Sequence, residues 1–328
     1  MVSTTQISER VSPLASDDLS WWARTLRTQL STAAGPEQAD DVRVAAFVHD
    51  GIVADGGTTD AWAVREGRTP LAAFRVSECL HPITLRRDLR VEGLCAGPAG
   101  SAAAVALLDT LPDDLDVRVE LPLLGTAAAL RSVLRQRGFR PEVLLVRRPT
   151  AGLRRVPDSR PGKSRGEQPS HPTAAPWQIR AATATDADFV YECLATAVRN
   201  GLGGASAQVD IDDWIRTRYA RLLRPGVTCV IAESAGRPVG HGYATAGPDR
   251  YGPGLCGYLH DVFVQPAAKG LGCAHALTGA LGEQLSAGDV PMVEGEVIMA
   301  GGDQAALRGG LRAAGWREDR MRWVRTAR

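Results

Sequence analysis

Residues 256–285, CGYLHDVFVQPAAKGLGCAHALTGALGEQL, contain the pattern that decides the fold of this chain. The apolar run from Tyr258 to Val264, bounded by a glycine and a proline, predicts a buried strand, and apolar residues at helical spacing follow it. Between them lies the segment 269–274, KGLGCA, whose glycines lack the Cβ atoms that keep a bulky anion away from backbone N–H groups. Because the first N–H groups of a helix have no partner within it, this turn can hold a phosphate or pyrophosphate, and the alternative is a plain tight turn.

The run LHDVFVQPAAKGLGCAHAL resembles motif A of the GNAT acyltransferase superfamily, in which a strand ending in Val-x-Pro precedes the signature Gln/Arg-x-x-Gly-x-Gly/Ala. A lysine here replaces the usual glutamine or arginine. The resemblance implies a pantetheine thioester, either acyl-CoA or an acyl-phosphopantetheine, as co-substrate. It also implies that the donor lies against the strand, at Val262 and Val264, with its pyrophosphate on the turn. The implied residues of the turn are Lys269, Gly270, Leu271, Gly272, Cys273 and Ala274.

The same strand carries the candidate catalytic residues. Its sequence YLHDVFV is similar to the segment YLEDFFV of spermidine/spermine acetyltransferases, whose glutamate is the catalytic carboxylate, and His260 stands at that position. An imidazole has an ordinary pKa of about 6.5 and can accept a proton at neutral pH. Asp261, expected on the opposite strand face, is the alternative base, and His241 on the neighbouring strand is a third candidate. The competing interpretation for both histidines is a packed structural role.

The general acid of the superfamily has no counterpart at its usual position. Many members place a tyrosine there, on the helix after the fifth strand, whereas this chain has Leu311. The thiolate therefore leaves unassisted, since a thiol pKa of about 8.5 makes it a fair leaving group, or another residue such as Tyr258 or Tyr243 donates the proton.

The chain repeats itself on either side of a proline-rich segment. Residues 128–140, AALRSVLRQRGFR, return as residues 305–317, AALRGGLRAAGWR, and both predict a helix that ends at a glycine before a strand. Residues 66–71 and 235–239 match in the same way, each joining two apolar runs as a hairpin. These two pairs of matching segments occur in the same order along the chain. They predict two copies of one α/β fold, each a mixed sheet flanked by helices. The predicted parts are a degenerate GNAT-like domain at 1–147, a Pro/Arg-rich linker at 148–176 and a catalytic GNAT domain at 177–328.

The two predicted copies differ at the glycine-rich turn. Aligning the repeat places residues 98–104, PAGSAAA, opposite residues 266–272, PAAKGLG. The first copy then has alanines for the glycines and no cation, so its turn is not expected to hold an anion. A structural or substrate-shaping role is predicted for it.

The composition excludes several classes of protein. A net charge of +1 over 328 residues argues against a dedicated nucleic-acid binder. The six cysteines form no metal-type pair, so we expect reduced thiols and no metal site. The N-terminus lacks an apolar signal segment, and no run approaches the roughly 20 apolar residues of a membrane span. We therefore expect a cytoplasmic protein with no membrane partner.

The resemblance to the GNAT superfamily implies an N-acyltransferase that acts on an amine or hydroxyl of a small molecule. Its donor is acyl-CoA or an acyl carrier protein in a biosynthetic pathway. The basic linker is either a solvated tether or a docking site for such an acidic carrier. The alternative function is a non-catalytic acyl-CoA binding or sensing module, consistent with the missing tyrosine. An acidic cluster at Asp210, Asp212 and Asp213 either holds a cationic amine or serves the start of a helix.

Overall fold

The computed structural model describes residues 11–34, 44, 60–80, 87–97, 100–123, 127–153, 177–202, 210–218, 227–250, 252, 254–270, 272–299 and 304–327. The strands are β1 (Val11–Pro13), β2 (Asp60–Glu66), β3 (Thr69–Leu80), β4 (Arg87–Ala96), β5 (Asp116–Pro122), β6 (Arg140–Pro149), β7 (Gln178–Ala181), β8 (Val227–Ser234), β9 (Arg237–Pro248), β10 (Leu255–Val264), β11 (Met292–Ile298) and β12 (Arg317–Arg325). The helices are α1 (Ser16–Ala34), α2 (Ser101–Asp109), α3 (Ala127–Gln136), α4 (Ala187–Leu202), α5 (Ile211–Arg218), α6 (Cys273–Ala287) and α7 (Gln304–Ala313).

The chain forms two compact units, and their boundaries differ from the predicted ones. The first unit comprises residues 1–146, 248–253 and 296–328, and the second comprises residues 147–247 and 254–295. Residues 296–328, predicted to complete the C-terminal domain, therefore group with the N-terminal part of the chain. The reason is that β12 pairs antiparallel with β5 along most of its length, so the last strand completes the sheet of the first unit.

In the first unit, the strands follow the order β1-β2-β3-β4-β5-β12-β6. The first four are antiparallel neighbours, and β4 and β5 run parallel. Charged side chains join β5 to β12, because Arg320 Nη1 donates to Glu120 Oε1 at 2.7 Å. Burial opposes ionisation of Glu120, but Arg320 and the arginines around it outweigh this effect and lower the pKa of Glu120 to about 2.

The repeated helix and strand are present in both copies with the predicted glycine between them. Gly138 follows α3 with φ 78° and Gly315 follows α7 with φ 80°, a conformation that glycine adopts at little cost. The next N–H bonds back to the helix, from Phe139 to the Leu134 carbonyl at 3.0 Å and from Trp316 to the Leu311 carbonyl at 2.9 Å. These matching helix ends confirm that the chain contains two copies of one α/β fold.

In the second unit, a sheet of order β11-β10-β9-β8-β7 has helices on both faces. On one face, α4 and α5 pack through a buried cluster that includes Val190, Ile215 and Tyr243. On the other face, α6 lies unusually close to the sheet, because a Cβ on Gly242 would come within 2.8 Å of the Leu281 side chain. Glycines at 240 and 257 allow the same close approach of α6.

Three further observations concern the described residues. No helix among them is long and apolar enough to cross a membrane. The six cysteines are free thiols, five of them buried. No group of histidine, cysteine, aspartate or glutamate side chains in the described ranges is arranged to hold a metal ion.

Candidate functional site

The turn between β10 and α6 is built on two glycines in the left-handed conformation. Gly270 has φ 75°, and Gly272, the N-cap of α6, has φ 83°. Among the described residues, a Cβ on Gly270 would meet no atom within 4 Å, and one on Gly272 would meet only Trp177 Cζ2 at 4.0 Å. Both glycines are also exposed. The turn is therefore open, and its backbone conformation favours glycine for torsional rather than packing reasons.

The backbone N–H groups of this turn are divided between two roles. Lys269 N–H donates to the Pro266 carbonyl at 3.2 Å, which closes a short 3₁₀ turn, so this N–H serves the fold. Within the described part of the chain, no protein oxygen accepts a hydrogen bond from the N–H groups of Gly270, Gly272, Cys273 and Ala274. The Lys269 side chain is exposed beside them, and Leu271 lies outside the described residues. An anion can therefore bind at the start of α6, where the helix dipole adds partial positive charge.

The strand that leads into the turn is only partly paired with its parallel neighbour. Residues 256–259 of β10 pair with residues 292–295 of β11, and no later residue of β10 pairs with a described residue of β11. The second half of β10, which includes Val262 and Val264, therefore has backbone N–H and C=O groups that lie outside the ladder with β11. An extended ligand that carries amide groups can bind such a strand edge as an added strand does.

His260 presents an exposed imidazole on this half of β10. Its Nε2 lies 2.8 Å from Thr245 Oγ1, and its ring stacks on that of Tyr243 with 4.9 Å between the centroids. The hydroxyl and the ring come from alternate residues of β9, so both project from the same strand face. They fix the orientation of the imidazole while leaving it accessible, which suits a group that takes a proton from a ligand.

His241 and Asp261 form a second, buried pair beside the first. His241 is fully buried, and its Nε2 lies 3.1 Å from Asp261 Oδ2, although the two groups are not aligned as a hydrogen bond. Cys193 on α4 borders the pair. Burial, together with the charge of Asp261, raises the pKa of the Cys193 thiol to about 12, so that thiol stays protonated.

The position of Asp261 differs from the one expected for a regular strand. His241, Tyr243 and Thr245 share one face of β9, and Tyr243 packs there among α4 and α5 residues. His260 contacts two of these residues and Asp261 contacts the third, so consecutive residues of β10 approach the same face of β9. The expectation that Asp261 lies opposite His260 is therefore wrong. A local break in alternation, as at a β-bulge, accounts for it.

The first copy has a carboxylate at the position of His260. Its parallel ladder joins residues 88–91 to residues 116–119, at the same strand positions as the ladder of β10, so Glu92 corresponds to His260. Arg75 donates to Glu92 from Nε at 2.8 Å, and Arg250 also pairs with it. Burial alone would raise the pKa of Glu92, but the two arginines outweigh it and keep that pKa below its ordinary value. Such a carboxylate is a weak base.

The described part of the turn in the first copy is closely packed at Gly100. Only residues 97–100 separate β4 from α2, whereas residues 265–272 separate β10 from α6, so Gly100 rather than Ala102 occupies the turn. A Cβ on Gly100 would lie 2.3 Å from the Leu71 carbonyl oxygen, and the Gly100 N–H already donates to the Gly97 carbonyl. The shorter loop corrects the predicted alignment of the two turns. It also leaves no open N–H cradle like that of the second copy among the described residues here.

Other candidate residues have ordinary structural roles. Asp210 Oδ1 accepts a hydrogen bond from the Asp213 N–H at the start of α5, and Asp212 pairs with Arg199 at 2.7 Å. The acidic cluster thus serves the helix start, as one of its two interpretations held. Leu311, the residue expected at the tyrosine position of the superfamily, lies on α7 in the first unit.

Two residues near the site were missed from the sequence. Thr245 could have been found from the strand period, since it follows His241 and Tyr243 at steps of two. Trp177, whose indole borders Gly272, immediately precedes β7, and the sequence offers no signal that relates it to the turn.

Comparison with protein families identifies the domain that holds this site. Residues 196–292, which include β8, β9, β10, the open turn and α6, match the acetyltransferase (GNAT) family. The chain carries a GNAT domain. Members of this family bind acyl-CoA and transfer acyl groups, and the GNAT domain here contains both the open turn and the two histidine sites. No curated protein matches the chain.

Solved structures resemble the whole chain at low identity. A GCN5-related N-acetyltransferase from Sphaerobacter thermophilus aligns with 97% of this chain and 95% of its own, with 15% identity and a TM-score of 0.55. The glucosamine N-acetyltransferase region of a fungal multi-domain GH3 beta-N-acetylglucosaminidase aligns with 96% of this chain and 37% of that protein, with 10% identity and a TM-score of 0.52. A tandem GNAT protein from the clavulanic acid pathway aligns with 97% and 98% of the two chains, with 16% identity and a TM-score of 0.47. Such identities show the GNAT fold alone.

Proposed function

We propose that the protein is an N-acyltransferase that moves an acyl group from acyl-CoA to an amine or hydroxyl of a small molecule, with catalysis in the GNAT domain. One observation carries this proposal: the strand that presents an exposed His260 leads directly into an open turn whose N–H groups are available to an anion. Neither feature is present among the described residues of the first copy, where a Cβ on Gly100 would meet the Leu71 carbonyl oxygen and Glu92 is paired with arginines.

The donor site follows from the turn and the strand. The N–H groups of Gly270, Gly272, Cys273 and Ala274 would hold the pyrophosphate of CoA, with the Lys269 ammonium beside them. A hydrogen bond to a charged group contributes about 1.5–3 kcal/mol, so four of them supply much of the roughly 8 kcal/mol that micromolar binding requires. The pantetheine arm would then extend along β10 past Val264 and Val262 towards His260.

The chemical step requires removal of a proton from the acceptor. His260, held by Thr245 and Tyr243, would take the proton from the attacking nitrogen or oxygen as the new bond to the thioester carbon forms. The C–S bond then breaks and CoA leaves as a thiolate. Since Leu311 cannot donate a proton, the thiolate leaves as such or takes one from Tyr258, which precedes His260 by two residues on the same strand face.

Asp261 and His241 are placed differently from His260. Full burial keeps His241 from contact with any substrate, and Asp261 is directed towards His241. We therefore assign the role of base to His260 alone among the three candidates.

A donor and acceptor screen tests this function. The protein would be mixed with acetyl-CoA and a series of longer acyl-CoAs against a library of amines and alcohols, with released CoA measured by a thiol reagent. Calorimetric titration with CoA gives the donor affinity independently. We expect micromolar CoA binding and acceptor-dependent release. Tight CoA binding without release for any acceptor would indicate a sensing module, and release only from an acyl-loaded carrier protein would assign the donor to a carrier.

A further inference from the structure

The contact between His241 and Asp261 needs an explanation of its own. Its polar atoms, both ring nitrogens of His241 and Oδ2 of Asp261, are buried and form no aligned hydrogen bond within the described residues. Burying such groups is costly unless they are paired with each other or with another polar group. The 3.1 Å separation of Nε2 and Oδ2 is a hydrogen-bond distance, so the two groups are each other's natural partners.

The pair lies at the point where β10 departs from regular alternation. In a regular strand, a residue that follows His260 would point towards α6, on the face where Gly240 and Gly242 contact that helix. Asp261 instead approaches His241 on the face covered by α4 and α5. Attraction between the carboxylate and the imidazole supplies a reason for this departure, because the side chains of α6 that Gly240 and Gly242 approach on the other face are the apolar Leu277 and Leu281.

The first copy reaches a similar strand shape with different residues. The register of β3 against β4 shifts between Ala73 and Arg75, opposite Gly93, which has φ 62°. By strand position, Gly93 corresponds to Asp261, and Ala73 to His241. In that copy, the left-handed conformation of Gly93 accounts for the register shift, and the buried Trp22 indole donates to the Gly93 carbonyl at 2.8 Å. The second copy has a polar pair where the first has glycine and alanine.

We propose that His241 and Asp261 are positioning residues, whose mutual contact holds the irregularity of β10 and thereby places His260 against Thr245 and Tyr243 on the accessible face. Neither residue exchanges a proton with the substrate. The effect of the pair on turnover rests on the function proposed above, whereas its effect on the position of the His260 ring does not.

Two variants separate positioning from proton transfer. His241→Phe keeps a ring beside Phe263, whose centroid lies 6.4 Å away, but removes the partner of Asp261. Asp261→Asn keeps an oxygen that accepts from a His241 N–H but removes the negative charge. A double variant, His241→Phe with Asp261→Gly, removes both polar groups and installs the residue that the first copy uses.

The readout that needs no substrate is the proton NMR signal of the His260 ring, identified by its loss in His260→Gln. Because the ring stacks on Tyr243, we expect this signal to be shifted upfield in the wild type. We expect His241→Phe to remove that shift, to lower the melting temperature by about 5 °C or more and to reduce turnover of acetyl-CoA at least tenfold. Asp261→Asn should keep the shift and turnover within about threefold, and the double variant should recover most of the melting temperature.

Each part of the proposal would be contradicted by a different result. An unchanged His260 signal in His241→Phe would show that the pair does not position the ring. Loss of turnover in Asp261→Asn with an unchanged His260 signal would show that the charge takes part in proton transfer. If the wild type turns over no acceptor, the proposed function fails, while the NMR signal and the melting temperature still decide the positioning role.

Discussion

Replacing Gly270 by alanine tests whether the open turn binds the donor through its backbone. Gly270 has φ 75°, and an added Cβ would meet no described atom within 4 Å, so the change brings torsional strain without a clash. An alanine in this conformation costs about 1–2 kcal/mol, and the turn relieves that strain by rotating its peptide planes. The rotation turns N–H groups away from the pyrophosphate. Losing one charge-assisted hydrogen bond of about 1.5–3 kcal/mol weakens CoA binding roughly 10- to 150-fold.

The chain offers a matched control for this substitution. Gly236, in the hairpin between β8 and β9, has φ 74° and likewise no described atom within 4 Å of an added Cβ. Gly270→Ala and Gly236→Ala should therefore lower the melting temperature by similar amounts, about 2–8 °C. Calorimetric titration with CoA should show weaker binding only for Gly270→Ala. Wild-type affinity in Gly270→Ala, or an equal loss in Gly236→Ala, would refute the assignment of this turn to the donor.

Three more predictions concern the base, the first copy and acid stability. His260→Ala should lower turnover by about 10²- to 10⁴-fold with unchanged CoA affinity. His275→Ala, on the exposed side of α6, should change neither turnover nor CoA affinity, and equal turnover in the two variants would exclude His260 as base. Gly100→Ala should lower the melting temperature strongly, since its Cβ would clash with the Leu71 carbonyl, and should leave CoA affinity unchanged. Weaker CoA binding in this variant would place a donor in the first copy. Glu120 has a folded pKa of about 2, below its unfolded value, so its stabilisation is present above that unfolded value and is lost as the pH falls towards 2. Thermal melts from pH 6 to pH 3 should show a smaller decline for Glu120→Gln, and an equal decline would contradict the lowered pKa.

The sequence predicted the features that depend on local residue type. Glycine at 138 and 315 ends a helix for the same torsional reason in both copies, so the internal repeat could be recognised from the residues alone. The turn with Gly270 and Gly272 was likewise predictable, because only glycine adopts its conformation at little cost.

The features that depend on partners distant in sequence were not predictable. The last strand, predicted within the C-terminal domain, pairs with β5 because strand pairing follows tertiary structure rather than chain order. The face of Asp261 was predicted from strict alternation, and its contact with His241 overrides that period. The loop from β4 to α2 is shorter than the aligned residues suggested, and no local signal marks the missing length. The role of Glu92 as the counterpart of His260 became evident only from the matching ladders.

We propose that one GNAT domain holds the donor at its open turn and presents the thioester to His260. A crystal structure of the protein with bound CoA would locate both ends of the donor. We expect pyrophosphate density at the N–H groups of Gly270 and Gly272–Ala274, and a CoA thiol close enough to the His260 ring for the transferred acyl carbon to lie beside it. CoA bound at the turn that contains Gly100, or bound with its thiol remote from His260, would show that acyl transfer does not take place at His260.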